Sequence, residues 1–240
     1  MVYYAYIEDI SSPRGPCRCI AVFASRAVAD EWWRAVSTSA NTNYSDGVRR
    51  VAPQFFTHDT NKANAVTSIT DAQVASSFFG KVFFTYLESN GGGLSVIPIL
   101  DFVDHVSGNS FFIRSRVSPN EYWYCPGSST GNVTPNSKVY VSRTERTRFR
   151  VRLFSERKET TGTIMIGSDE IAITLISTNL SIRVSRSGHV IVSKNPELGL
   201  KFSDIANGFG VVTPLLDNEG HCENIKELFK TEDGEEWELA

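Results

Sequence analysis

The spacing of apolar and polar positions changes character near residue 105. Up to there it mixes two periods. "YYAYIED" and "CRCIAVFAS" read as strands flanking a Pro/Gly turn, "SSPRGP". In "SRAVADEWWRAVST", Val28, Trp32 and Ala35 recur at helical spacing with Ala29, Trp33 and Val36 beside them. Ser25 is placed to cap that helix, and the pair Trp32–Trp33 puts one indole in a core and the other at its margin. "VRRVAPQFF" is strand-like, with Pro53 marking an edge or break. "TDAQVASSFFGKVFF" opens as a helix capped by Thr70 or Asp71. "KVFFTYLE", "SNGGGL" (89–94) and "LSVIPILDF" then read as strand, flexible hairpin loop and strand. The three glycines lack the Lys-Ser/Thr ending of a phosphate loop.

Beyond residue 105 short β-type runs dominate: "SFFIRSRV", "EYWYC", "KVYVSR", "RFRVRLF", "TIMIG", "EIAITLI", "LSIRVS", "HVIVSK" and "LKFSDI". Turn signals such as "PGSSTGN", "SRSG" and "KNPELG" separate them, and the first helical candidate is "CENIKELF". This is the habit of an all-β sandwich or barrel. Within it a unit recurs: "VYVSR" (139–143) before Phe149, "VIVSK" (190–194) before Phe202, and "LFKTE" (228–232) before Trp237. Ser142, Ser193 and Thr231 mark the copies, roughly 40–50 residues apart. One copy cannot bury its apolar face alone, so the copies should pack around a common core. Three copies of about four short strands each resemble a β-trefoil. The expected class is therefore α+β: an N-terminal α/β domain, 1–104, followed by an all-β, β-trefoil-like domain, 105–240.

The chain has 240 residues, with a net charge of −3 and a pI near 5.9, which argues against general nucleic-acid binding while leaving room for a local basic patch. The N-terminus has no basic segment followed by an apolar run, and no window reaches the ~20 apolar residues of a membrane span. A cytoplasmic location without membrane association is expected. The four cysteines, Cys17, Cys19, Cys125 and Cys222, show no zinc-type spacing and are expected as free thiols. Neither a metal nor a cofactor is expected.

"GNSFFIRSRVSPNEYWYC" followed by "VYVSRTERTRF" resembles the trefoil segments of lectin-like proteins common in mushroom-forming fungi. The resemblance covers residues 106–240. It implies a β-trefoil acting as a cytosolic defence lectin or a protease inhibitor. The chain departs from ricin-type lectins in having no Gln-x-Trp, so their galactose site is not expected.

Two constellations carry the binding expectation. In "NEYWYC", Asn120, Glu121, Tyr122, Trp123 and Tyr124 combine rings that stack on a pyranose with groups that meet its hydroxyls. Strand alternation turns Tyr122 and Tyr124 one way and Trp123 the other, and one of the two sets is core. In "RTRFRVRL", Arg146, Arg148, Arg150 and Arg152 share one face, with Thr147, Phe149, Val151 and Leu153 on the other. That face is either a solvated strand surface or an anion site. Residues 217–240 hold nine acidic residues and two lysines, so a tail packed near the arginines would neutralise them. For an enzyme, His58 with Asp59 and His105 with Asp104 pair an imidazole with a carboxylate, and a thiol site of Cys17 or Cys19 with His58 requires that folding bring them together. No Gly-x-Ser-x-Gly or His-Glu-x-x-His accompanies them. The expected function is metal-free carbohydrate binding without catalysis, with glycans as partners. A protein-binding module such as a protease inhibitor, and an enzyme with its site at the domain junction, are the alternatives.

Overall fold

The computed structural model describes residues 2–11, 18–87, 103–154, 162–212 and 225–240. Cys17, the glycine loop 89–94, "LSVIPILDF", His221 and Cys222 lie outside them. The chain divides into two compact units, Met1–Asp104 and His105–Ala240. Among the described residues it is mostly β, with 39% strand against 16% helix, so helix is a minor component, and its sheets are curled.

In the first unit, β1 (Tyr3–Asp9), β2 (Arg18–Phe23), β3 (Val48–Ala52), β4 (Phe55–His58) and β5 (Val82–Leu87) form a sheet in the order β3-β4-β1-β2-β5. β1 runs antiparallel to β2 and parallel to β4. Helix α1 (Arg26–Ser37) begins where the Ser25 hydroxyl accepts the Val28 N–H at 3.2 Å. It buries Ala29, Trp32 and Val36, and Trp32 meets Phe23 and Phe56 while donating its indole N–H to Ser68 at 3.0 Å. Trp33 lies at the margin, 5.9 Å from the Phe56 ring. A short helix, α2 (Thr42–Gly47), leads into β3.

In the second unit, β6 (Ser110–Phe111), β10 (Phe149–Leu153), β11 (Ile171–Leu175), β12 (Ser181–Val184) and β13 (Val190–Ser193) form one sheet, in the order β13-β12-β11-β10-β6. A second sheet, in the order β14-β15-β9-β8-β7-β16, joins β7 (Ile113–Ser115), β8 (Tyr122–Tyr124), β9 (Tyr140–Ser142), β14 (Phe209–Val212), β15 (Ile225–Lys230) and β16 (Trp237–Leu239). One core joins residues of both: Trp123 packs edge-on against Phe149, Phe209 and Trp237. Gly234 is required beside it, because a Cβ there would sit 2.3 Å from the Phe209 carbonyl oxygen. That close approach accompanies the bond from the Trp237 indole N–H to the same oxygen, 2.8 Å long.

Several local expectations change. "VRRVAPQFF" is two paired strands, β3 and β4, with Pro53 and Gln54 in the turn. No α-helix starts at Thr70 or Asp71; the segment holds 3₁₀ turns at Ala65–Thr70 and Ser76–Phe78. The Asp71 carboxylate instead accepts the Gln73 N–H, a local bond that competes with helix propagation. The helical candidate "CENIKELF" is strand β15 where it is described, because Lys226 and Glu227 pair in register with Val141 and Tyr140. "TIMIG" contributes a bridge from Ile164 rather than a strand, and "LKFSDI" runs into the short helix α3 (Asp204–Asn207).

Candidate ligand-binding face

β8 decides the aromatic constellation. Its central residue, Trp123, is fully buried, so it cannot stack on a sugar, and its place in the expected platform is corrected by that burial. Trp123 Nε1 has no hydrogen-bond partner among the described residues. Tyr122 and Tyr124 turn the other way and are half-buried. Asn120 is exposed in the preceding turn.

Glu121 also departs from its expected role. It is 1% exposed, accepting from Lys226 Nζ at 2.9 Å through both oxygens and from Arg143 Nε at 2.9 Å. Burial works to raise its carboxyl pKa, but these cationic donors outweigh it and hold the group below the ordinary carboxylate range. A carboxylate so engaged ties β8 to β9 and β15 rather than meeting a ligand.

The arginine segment keeps the expected alternation. Arg146, Arg148, Arg150 and Arg152 are exposed, Thr147, Phe149 and Val151 are buried, and Leu153 is half-buried. Arg146 lies over the rings of Phe112, at 4.5 Å, and Tyr122, at 5.7 Å, while Arg148 lies 5.0 Å from Phe112. Arg150 is flanked in register by Ser110 on β6 and Thr174 on β11, and Arg152 by Ala172. The acidic C-terminal stretch does not neutralise the four arginines among the described residues. Its Glu227 pairs with Lys138 and His189, and Glu236 and Glu238 pair with Arg114 and Arg116. Asp217, Glu219 and Glu223 lie outside the described residues.

The catalytic candidates are each engaged elsewhere. His58 is buried, its Nδ1 accepting the Ala65 N–H at 3.0 Å. Burial pushes its pKa below the ordinary imidazole value, against the charges of Asp9 and Asp59. Asp59 accepts the Asn61 N–H, so it does not orient the ring. Asp104 binds the Arg50 guanidinium through both oxygens. His105 packs edge-on against Phe111 and Phe202. Cys19 is buried, and burial pushes the Cys125 thiol up to about 11, which disfavours its thiolate.

Phe112 is the face residue that sequence reasoning missed. It falls between β6 and β7, and only folding brings it under Arg146 and Arg148; within "SFFIRSRV" nothing separates it from Phe111. Among the described residues, no helix is long and apolar enough to cross a membrane, and no group of three or more His, Cys, Asp or Glu could hold a metal ion. No protein-family model, curated protein or solved structure matches the chain.

Proposed function

We propose that the chain is a metal-free carbohydrate-binding protein that acts without catalysis, through a β-trefoil-like C-terminal unit. The observation that carries the binding reading is the outward pair Tyr122 and Tyr124, with guanidinium groups beside Tyr122, over a core closed by Trp123. Half-buried aromatic rings beside polar donors are the surface a sugar ring needs, with apolar C–H groups on one side and hydroxyls on the other.

The trefoil reading draws support from the repeats. Lys138, His189 and Glu227 each stand four positions before the marker residues Ser142, Ser193 and Thr231. They meet: Lys138 Nζ lies 2.7 Å from one Glu227 oxygen and His189 Nε2 lies 3.0 Å from the other. The next residue in each copy, Val139, Val190 and Leu228, is buried. The Val139 N–H donates to the Val190 carbonyl at 2.8 Å, and the Lys230 N–H to the Gly188 carbonyl at 2.9 Å. Equivalent positions of three copies converging on one point is what packing about a threefold axis requires.

A glycan array tests the function. Binding is expected, and Tyr122→Ala with Tyr124→Ala should weaken it at least tenfold while leaving the fold intact. A blank array would remove this reading. A second reading, a protein-binding module, is favoured by the row Tyr4–Val22–Phe83 across the N-terminal sheet, where Tyr4 and Phe83 are 47% and 65% exposed. Inhibition of a protease panel without sugar binding would favour it.

A further inference from the structure

We infer that the Arg146–Arg152 ladder is a binding strip for a sulfated polysaccharide, which names the ligand class within the carbohydrate-binding reading and rests on it. The first observation is a contrast in pairing. Arg114, Arg116, Lys138, Arg143, Lys226 and Lys230 of the same unit have carboxylate partners within 4.0 Å; Arg183, Arg186, Lys194 and Lys201 have none among the described residues but are scattered, whereas the ladder gathers four such charges within seven residues. Arg146, Arg148, Arg150 and Arg152 have none among the described residues, although the chain carries more acidic than basic side chains. Four adjacent like charges repel one another, and without carboxylates they remain a concentrated positive field.

The second observation is geometric. Residues two apart on a strand are ~6.7 Å apart, so Arg148 to Arg152 extends over roughly 13 Å in a straight line. A linear polyanion can follow such a line, and guanidinium forks match sulfate oxygens two at a time. Ser110, Arg150, Thr174, Ser181 and Ser193 form one cross-strand row in which Thr174 and Ser181 are buried and Ser110 and Ser193 are half-buried, and Arg183, two residues beyond Ser181, is exposed on the same face. Glu170, two residues before Ala172, closes one end of the strip and sets its direction.

The same features disfavour nucleic acid. A short row of arginines on one strand presents no element to a groove.

The test measures binding of the full chain to heparin as the sulfated probe, beside desulfated heparin, an oligo(dT) strand and the neutral sugars of the array. Expected results are salt-sensitive heparin binding and at least tenfold weaker binding to desulfated heparin. Arg150→Gln with Arg152→Gln should lose at least tenfold, because two charged donors to sulfate are removed. Arg150→Lys with Arg152→Lys should fall between wild type and the glutamine variant, because charge is kept and the fork is lost. Arg116→Gln, whose side chain pairs with Glu236 and Glu238, should bind as wild type. Unchanged binding by the ladder variants, equal affinity for oligo(dT), or neutral-sugar binding without heparin binding would each overturn the strip and leave the carbohydrate reading standing. A blank on every glycan would overturn both. Coincident thermal melts confirm that the variants are folded, and the lysine pair tests the strip if the glutamine pair is not.

Discussion

Arg50 in the first unit and Arg150 in the second are the same residue on comparable strands, with opposite fates. The Arg50 side chain is 1% exposed, donates to Asp30 at 2.7 Å and to Asp104, and lies 5.7 Å from the Phe56 ring. Arg150 is exposed and has a serine and a threonine as register neighbours. A buried guanidinium must be neutralised because desolvating a charge costs far more than a packed apolar group returns. An exposed one is under no such demand, because water solvates its charge. The difference separates arginine used as a structural tie from arginine held available.

The comparison can be broken in order of size. Arg50→Ala should destabilise the chain most, by about 3–5 kcal/mol, because Asp30 and Asp104 lose their hydrogen-bonded cation in a largely buried place and keep only Arg26, 3.6 Å from each. Urea unfolding measures this, and a loss under about 1 kcal/mol would mean that solvent already screens the cluster. Glu121→Gln comes next, at about 1–3 kcal/mol, through its two cationic donors. Its pKa is depressed in the folded chain, so its contribution is fully present above the ordinary carboxylate range and lost as pH falls through the folded value. The stability gap between wild type and Glu121→Gln should therefore close in acid; a gap that persists there would mean the effect is steric. Smallest are Arg148→Ser, Arg150→Ser and Arg152→Ser, each within about 0.5 kcal/mol in the same unfolding assay. A cost above about 1 kcal/mol for any of them would show that the ladder is a tie like Arg50.

What was legible followed from short-range periodicity. The Ser25 cap and the Ala29, Trp32 and Val36 stripe specify α1 within a dozen residues. The alternation from Arg146 to Leu153 specifies a two-faced strand within eight. Where local signals conflict with distant pairing, the reading fails. Ile225–Lys230 has helix-forming Lys, Glu and Leu, yet pairs as a strand with residues more than eighty positions earlier. Asp71 reads as a helix cap, but its carboxylate closes a turn two residues long.

The candidate face was half legible for the same reason. Alternation alone said that Trp123 and its two flanking tyrosines point to opposite sides, because Cβ direction follows the backbone. Which side became core depended on Phe149, Phe209 and Trp237 arriving from three other strands. Glu121 read as a sugar contact because sequence carries no record of Lys226, 105 positions away. By itself, then, the sequence determined the α1 stripe with its Ser25 cap and the alternating row of arginines, both set by bonding geometry between near neighbours. Only the tertiary structure decided which charges met a partner. Ion pairing acts across a few ångströms of space, and the chain brings those ångströms together from opposite ends.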